Sequence, residues 1–268
     1  MVVTDISLVL FTTLAQLAVG LTMMAAIRQA AAGPEPAPHL SREWLAAGII
    51  LAAALLISLF HLGHPGGSVR TLNHLATSWL SREVLSFAVF GGVLVAALVA
   101  VFKGASGARF LMLLTGVVGV VALVVSGMVY APPSFPALSN ALPVVFFLLT
   151  AVTLGAAFSS RFAAEPRQGL LAGILTAALV VGLVVNLLAP SMWLSGNLAA
   201  RATGANFYGS WLFWARIVGE FAIPLAALAK TRRVAAWMPP LLLLGELAGR
   251  ILFFGSVVHT ATFIGHLY

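Results

Sequence analysis

The 268-residue chain is 61% hydrophobic and only 8% charged, with a mean hydropathy of +1.08. About a quarter of an ordinary soluble domain is charged, so this composition excludes one, and the surroundings of the chain are mostly lipid. A formal charge of +7 reads as basic loops that set membrane topology rather than as a nucleic-acid surface. The absence of cysteine excludes disulfides, thiolate zinc sites and cysteine-ligated iron–sulfur clusters.

A membrane-spanning helix needs about 20 mainly apolar residues. Eight segments qualify: 6–27, 43–62, 83–102, 110–130, 142–160, 169–189, 210–229 and 240–264. A β-barrel would alternate over runs of about ten residues, whereas stretches 93–101 and 170–188 are apolar on every side. The expected fold is therefore an all-α integral membrane protein, a single membrane domain over 1–268 with short connections. The first span is preceded by Asp5 and by no basic n-region, so it reads as a true span rather than a secretory signal.

Orientation follows from Lys and Arg in the loops. Loops one, three, five and seven carry Arg28, Arg42, Lys103, Arg109, Arg161, Arg167, Lys230, Arg232 and Arg233, against Arg70, Arg82 and Arg201 in the even loops. The odd loops are expected in the cytoplasm and both termini outside. Loop four, 131–141, contains Pro132, Pro133 and Pro136 and no charge. It reads as a rigid outer cap, about which the chain divides into two four-helix bundles.

Ionisable residues inside spans cost several kcal/mol unless paired and so mark candidate sites. Span seven holds Arg216 and Glu220 at i,i+4, and span eight holds Glu246 and Arg250 at the same spacing, so each pair shares a helix face and can neutralise itself. These are either internal ion pairs that fix helix packing or fixed positive charges beside a bound anion or reduced quinone.

A second cluster lies where span two ends and span three begins. Span two closes on His61-Leu62-Gly63-His64-Pro65, with Pro65 stopping the helix. Span three opens at Ser81-Arg82-Glu83, with Ser81 expected as the N-cap and Glu83 in the first turn. Antiparallel neighbours bring His61 and Glu83 to one outer depth, with Arg70, Asn73, His74 and Trp79 between them. Quinol oxidation releases two protons with two electrons, and an imidazole and a membrane-buried carboxylate are suitable acceptors. The other reading is structural: His61 and His64 bonded to backbone carbonyls, and Glu83 paired with Arg82.

Six histidines, His39, His61, His64, His74, His259 and His266, also raise a b-type haem, which histidine ligates. Facing ligands well inside the spans are lacking, so no haem is expected. A third alternative, an ion- or proton-coupled transporter, lacks an inverted repeat and matching broken spans.

His61-Leu62-Gly63-x-Pro65, Leu72-Asn73, Ser81-x-Glu83, Arg216 and the run Gly245-Glu246-x-x-Gly249-Arg250-x-x-Phe253-x-Gly255 together resemble the DmsC family. Its members are membrane-anchor subunits of dimethyl sulfoxide reductase and its relatives, distantly similar to the NrfD/polysulfide-reductase anchors. The resemblance implies a complex in a bacterial inner membrane. Its partners would be a molybdenum bis-pterin catalytic subunit and a ferredoxin-like subunit with four [4Fe-4S] clusters, and this anchor would exchange electrons with menaquinone or ubiquinone. The family's quinol-binding histidine matches His61, and the carboxylate beside it matches Glu83. His64 and Arg82 occupy variable positions and take no role from the family. Membership leaves open a sulfoxide or N-oxide reductase, or the reverse direction in a sulfite- or sulfur-oxidising quinone reductase. With the site at the outer face and no haem, the iron–sulfur partner is expected to dock outside.

Overall fold

The structure, a computed structural model, describes residues 5–31, 33, 37–61 and 72–263, without the side chains of 37, 38 and 61. Eight helices are long and apolar enough to cross a membrane, and no strand occurs among the described residues. The helices are α1 (Ile6–Ala31), α2 (Ala37–Ser58), α3 (Trp79–Phe102), α4 (Ala108–Val129), α5 (Leu142–Ser159) and α6 (Gln168–Leu194). After them come α7 (Leu198–Gly209), α8 (Trp211–Arg216), α9 (Ile223–Thr231) and α10 (Met238–Gly255). A π-helical turn, Ile217–Ala222, joins α8 and α9 into one span.

Local chemistry explains where these elements start and break. Ser78, not Ser81, caps α3: its side chain accepts the Ser81 backbone N–H at 3.3 Å, and Ser81 is buried in the first turn. Prolines sit in the first turn of α5 and of α10, where an N–H would have no helical acceptor anyway. Pro224 follows the π turn directly, and its missing N–H frees the carbonyl of Glu220, so the helix widens there instead of continuing regularly. α10 ends at Gly255, short of the expected 264, and a 3-10 turn, Thr260–Phe263, follows. α2 begins well before the expected residue 43 and continues into a 3-10 turn, Leu59–His61.

Sequence reasoning left loop six as a connection, yet it folds as α7. Asn197 caps it by accepting the Ala200 N–H at 3.0 Å. Gly204 lets α7 lie against the end of α6, since a Cβ there would come within 2.7 Å of the Pro190 carbonyl oxygen.

The helix at the centre is α1, which packs on α2, α4, α5 and α10. The expected four-plus-four division does not divide the core. One continuous apolar cluster joins Phe11 of α1, Trp44 of α2, Phe90 of α3, Leu123 of α4, Leu154 of α5, Leu171 of α6, Leu228 of α9 and Leu242 of α10. A smaller aromatic cluster, with Phe147, Trp193, Phe207, Phe213 and Phe253, fills the end where the even loops gather. Exposed Val95, Val117, Leu188 and Leu244 face outward, where lipid covers them. Trp79, Trp211, Trp214 and Trp237 stand near helix ends, the depth of an interfacial aromatic belt.

α1 and α5 touch backbone to backbone. A Cβ at Gly20 would lie 2.1 Å from the Ala151 carbonyl oxygen, and one at Gly155 would lie 2.5 Å from the Gly20 carbonyl oxygen. Small residues at a crossing let membrane helices gain close van der Waals contact. Gly20→Val should therefore destabilise the protein by about 1–3 kcal/mol or more, the range for overpacked cores. Gly92→Val on α3, where a side chain meets open space, should not. Thermal unfolding in detergent checks this, and equal melting of the two variants would show that the crossing is not tight.

Candidate functional site

At the even-loop end the second turn of α3 meets the last turn of α4: with Ser78 as the cap, Glu83 lies one turn further into the helix than the expected first turn. Glu83 is buried, and the Ser126 hydroxyl donates to its Oε1 at 2.5 Å. Arg82 does not pair with Glu83. Its guanidinium turns back to the loop-two carbonyls of Leu75, at 2.9 Å, and Ala76, at 2.6 Å, and lies 4.5 Å over the Trp79 ring. Arg82 thus pins the loop, and the carboxylate is left facing the protein interior. Asn73 and His74 are exposed on the loop-two turn and are not brought to Glu83. His61 ends the 3-10 turn that follows α2. Its side chain, and all of Gly63, His64 and Pro65, lie outside the described residues.

A second polar site is built deeper, from five helices. Arg216 Nε donates to Glu220 Oε2 at 2.5 Å, as the i,i+4 spacing predicts. Nη2 donates both to Glu220 Oε1 and to Glu246 Oε2 of α10, each at 3.2 Å, and Nη1 reaches Asn186 Oδ1 of α6 at 2.6 Å. Glu246 and Arg250 are therefore not a self-neutralising pair. Glu246 turns to Arg216, and Arg250 Nη2 donates to Gln16 Oε1 of α1 at 2.5 Å and to Thr150 Oγ1 of α5 at 3.0 Å. The Thr150 hydroxyl links the two by donating to Glu246 Oε2 at 2.9 Å. The Arg250 guanidinium lies 4.1 Å from the Phe147 ring centre and 5.6 Å from that of Phe253.

Two cations and two anions balance in this network, which is what burial in a low-dielectric interior demands. The glycines of α10 make room for it. A Cβ at Gly249 would lie 2.6 Å from Arg216 Cζ, and one at Gly245 2.6 Å from Glu220 Oε2. The Gly-Glu-x-x-Gly-Arg run is thus a smooth helix face against which α8 and the π turn lay Arg216 and Glu220. A cavity of about 30 Å³ adjoins the network, lined by Asn186, Arg216, Glu246 and Arg250. It has room for a water.

At the odd-loop end a third buried site escaped sequence reasoning. Arg28 and Glu43 form a bidentate ion pair, both almost fully buried, and Ser159 donates to Glu43 Oε1 at 2.5 Å. Arg28 is thus part of the packing of α1, α2 and α5 and not a free loop charge. Arg167 likewise folds inward, donating to the Gly33 carbonyl at 3.0 Å. Among the described residues no group of three or more His, Asp or Glu is placed to hold a metal ion.

Eight helices long and apolar enough to span, with three buried polar sites among the described residues, define a multi-pass helical membrane protein. The family model described as DMSO reductase anchor subunit (DmsC) matches residues 1–256, and the chain belongs to that family. It is a membrane-anchor subunit of DMSO reductase-type complexes, as the motifs at the two ends of the sequence suggested. No match was found among curated proteins.

Proposed function

We propose that this chain is the quinone-interacting anchor of a molybdopterin oxidoreductase complex in a bacterial inner membrane. It passes electrons between membrane menaquinone or ubiquinone and a four-cluster ferredoxin-like iron–sulfur subunit, which serves a molybdenum bis-pterin catalytic subunit. The observation that carries this reading is Glu83: a carboxylate buried at the membrane edge, with Ser126 on one oxygen, at the end of the bundle where α2 delivers His61. A carboxylate so placed has no ion-pairing partner among the described residues and is a poor choice for packing alone. The Lys and Arg bias supports an outer placement of this end, with both termini outside and the iron–sulfur subunit docked there.

Quinol, when bound, supplies two electrons and two protons. The chain's part is to hold proton acceptors still and to keep bulk water away. Ser126 fixes the Glu83 carboxylate by its Oε1, and Arg82 anchors loop two over the same end through Leu75 and Ala76. A proton taken by Glu83 leaves a neutral acid that suits its buried position better than the charged form does. His61 accepts the second proton.

The test uses the assembled complex. His61→Leu should lower quinol-driven turnover about 100-fold or more, the size of a lost general base, while turnover driven by a soluble dye that reduces the partner subunits directly stays intact. Normal quinol-driven turnover in this variant would sink the proposal.

A further inference from the structure

An aromatic cavity lies beneath loop four, separate from the charged network and lined by parts of the chain far apart in sequence. Its volume is about 120 Å³, and its walls are Tyr130 at the end of α4, Phe135 and Leu138 of loop four, and Phe253 and Phe254 at the end of α10. The Tyr130 ring stands 5.3 Å from Phe254 and 6.1 Å from Phe253, centre to centre. The segment after α10 closes the roof: the Thr260 N–H donates to the Ser134 carbonyl at 3.0 Å, and His259 meets Phe135 edge-on at 5.0 Å.

Three features of this cavity select its occupant. Water is disfavoured, because among the described lining residues Tyr130 alone offers a polar side-chain group and a stable internal water needs two to four partners. The size suits a ring, since an apolar cavity of about 150 Å³ accepts benzene. The aromatic walls favour a flat conjugated ring in offset or edge-on contact.

Position supplies the last link. Tyr130 follows Ser126 by four residues and so projects from the same side of α4, one turn nearer the membrane edge. Ser126 holds Glu83, and the Tyr130 ring stands 5.5 Å from that of Phe147, over which the Arg250 guanidinium lies. The cavity wall therefore continues, one helical turn along α4, to the hydroxyl that holds the proton-accepting carboxylate.

We infer that the cavity under loop four binds the quinone ring, with Tyr130 as the residue that positions the ring next to Glu83. This rests on the quinone reading above. The binding slot is thereby placed between α4, loop four and α10.

Photo-crosslinking tests the assignment without reference to turnover. Membranes containing the full complex are labelled with an azido-naphthoquinone, with and without excess unlabelled menadione, and the labelled peptides are identified by mass spectrometry. The expected result is label on 129–138 and 253–257 that menadione removes, and that Leu138→Trp, which fills the cavity, abolishes while the protein still melts cooperatively. Menadione-sensitive label found only elsewhere, for example on 72–86, would overturn this site and leave the quinone reading standing. Label that menadione does not displace anywhere would overturn both.

Discussion

Replacing Arg216 with methionine should cost the protein about 3–5 kcal/mol, the penalty for leaving a buried charge without its partner. Arg216 spends its donors on Glu220, Asn186 and Glu246, and both carboxylates are buried. Without the guanidinium, two anions face each other in a low-dielectric interior, and the expected outcome is poor accumulation in the membrane and a large fall in melting temperature. The charge-balanced variant Arg216→Met with Glu220→Met should recover most of this loss. Glu246 then keeps the Thr150 hydroxyl and, through it, the link to Arg250. Replacing a whole buried ion pair by apolar residues of similar size is often neutral. Thermal unfolding of the three proteins in one detergent decides the matter. If the single and double variants melt together, charge balance is not what the network contributes.

The second large effect is on electron entry. Glu83→Gln keeps an oxygen for the Ser126 hydroxyl and nearly the same shape, so folding and assembly should be unchanged. It removes the capacity to take up a proton, and quinol-driven turnover should fall by about 10²–10⁴-fold, with dye-driven turnover preserved. Glu83→Asp, which withdraws the carboxylate by one methylene but still titrates, should fall between wild type and Gln. A Glu83→Gln complex that oxidises quinol at the normal rate would reduce Glu83 to a packing residue held by Ser126.

How much of this could be read in the sequence depends on the range of each interaction. The eight spans were legible because lipid selects continuous apolar runs and leaves little ambiguity. The start of α2 was not, because Arg42 reads as a loop charge and Glu43 as the span's edge until Arg28 and Ser159 are seen to surround Glu43. That pair has no local spacing that would announce it. Arg216 and Glu220 were legible as i,i+4 neighbours. The same spacing misled for Glu246 and Arg250, where the close approach of α10 to the π turn, permitted by Gly245 and Gly249, set the partners instead. Ser126, Asn186, Thr150 and Gln16 were missed for a shared reason: each is a single neutral polar residue in an apolar helix, and its partner lies on another helix. The available signal was its presence in a span, where an unsatisfied hydroxyl or amide is costly.

The central place of α1 bears on the order of biogenesis. Of the eight spans it is the first to leave the ribosome, and it carries Thr12, Thr13, Gln16 and Arg28 on surfaces that end up buried. The two threonine hydroxyls turn back to carbonyls of their own helix. Arg28 must wait for α2, and Gln16, about 15 Å into the helix at 1.5 Å per residue, waits for Arg250, 234 residues downstream. That hydrogen bond forms only when α10 arrives. Until then α1 exposes an amide to lipid, a state that favours retention beside the insertion machinery over free diffusion in the bilayer. α1 thus receives its Arg250 partner only with α10, and a protein truncated before α10 should be held, and degraded, as an unfinished one.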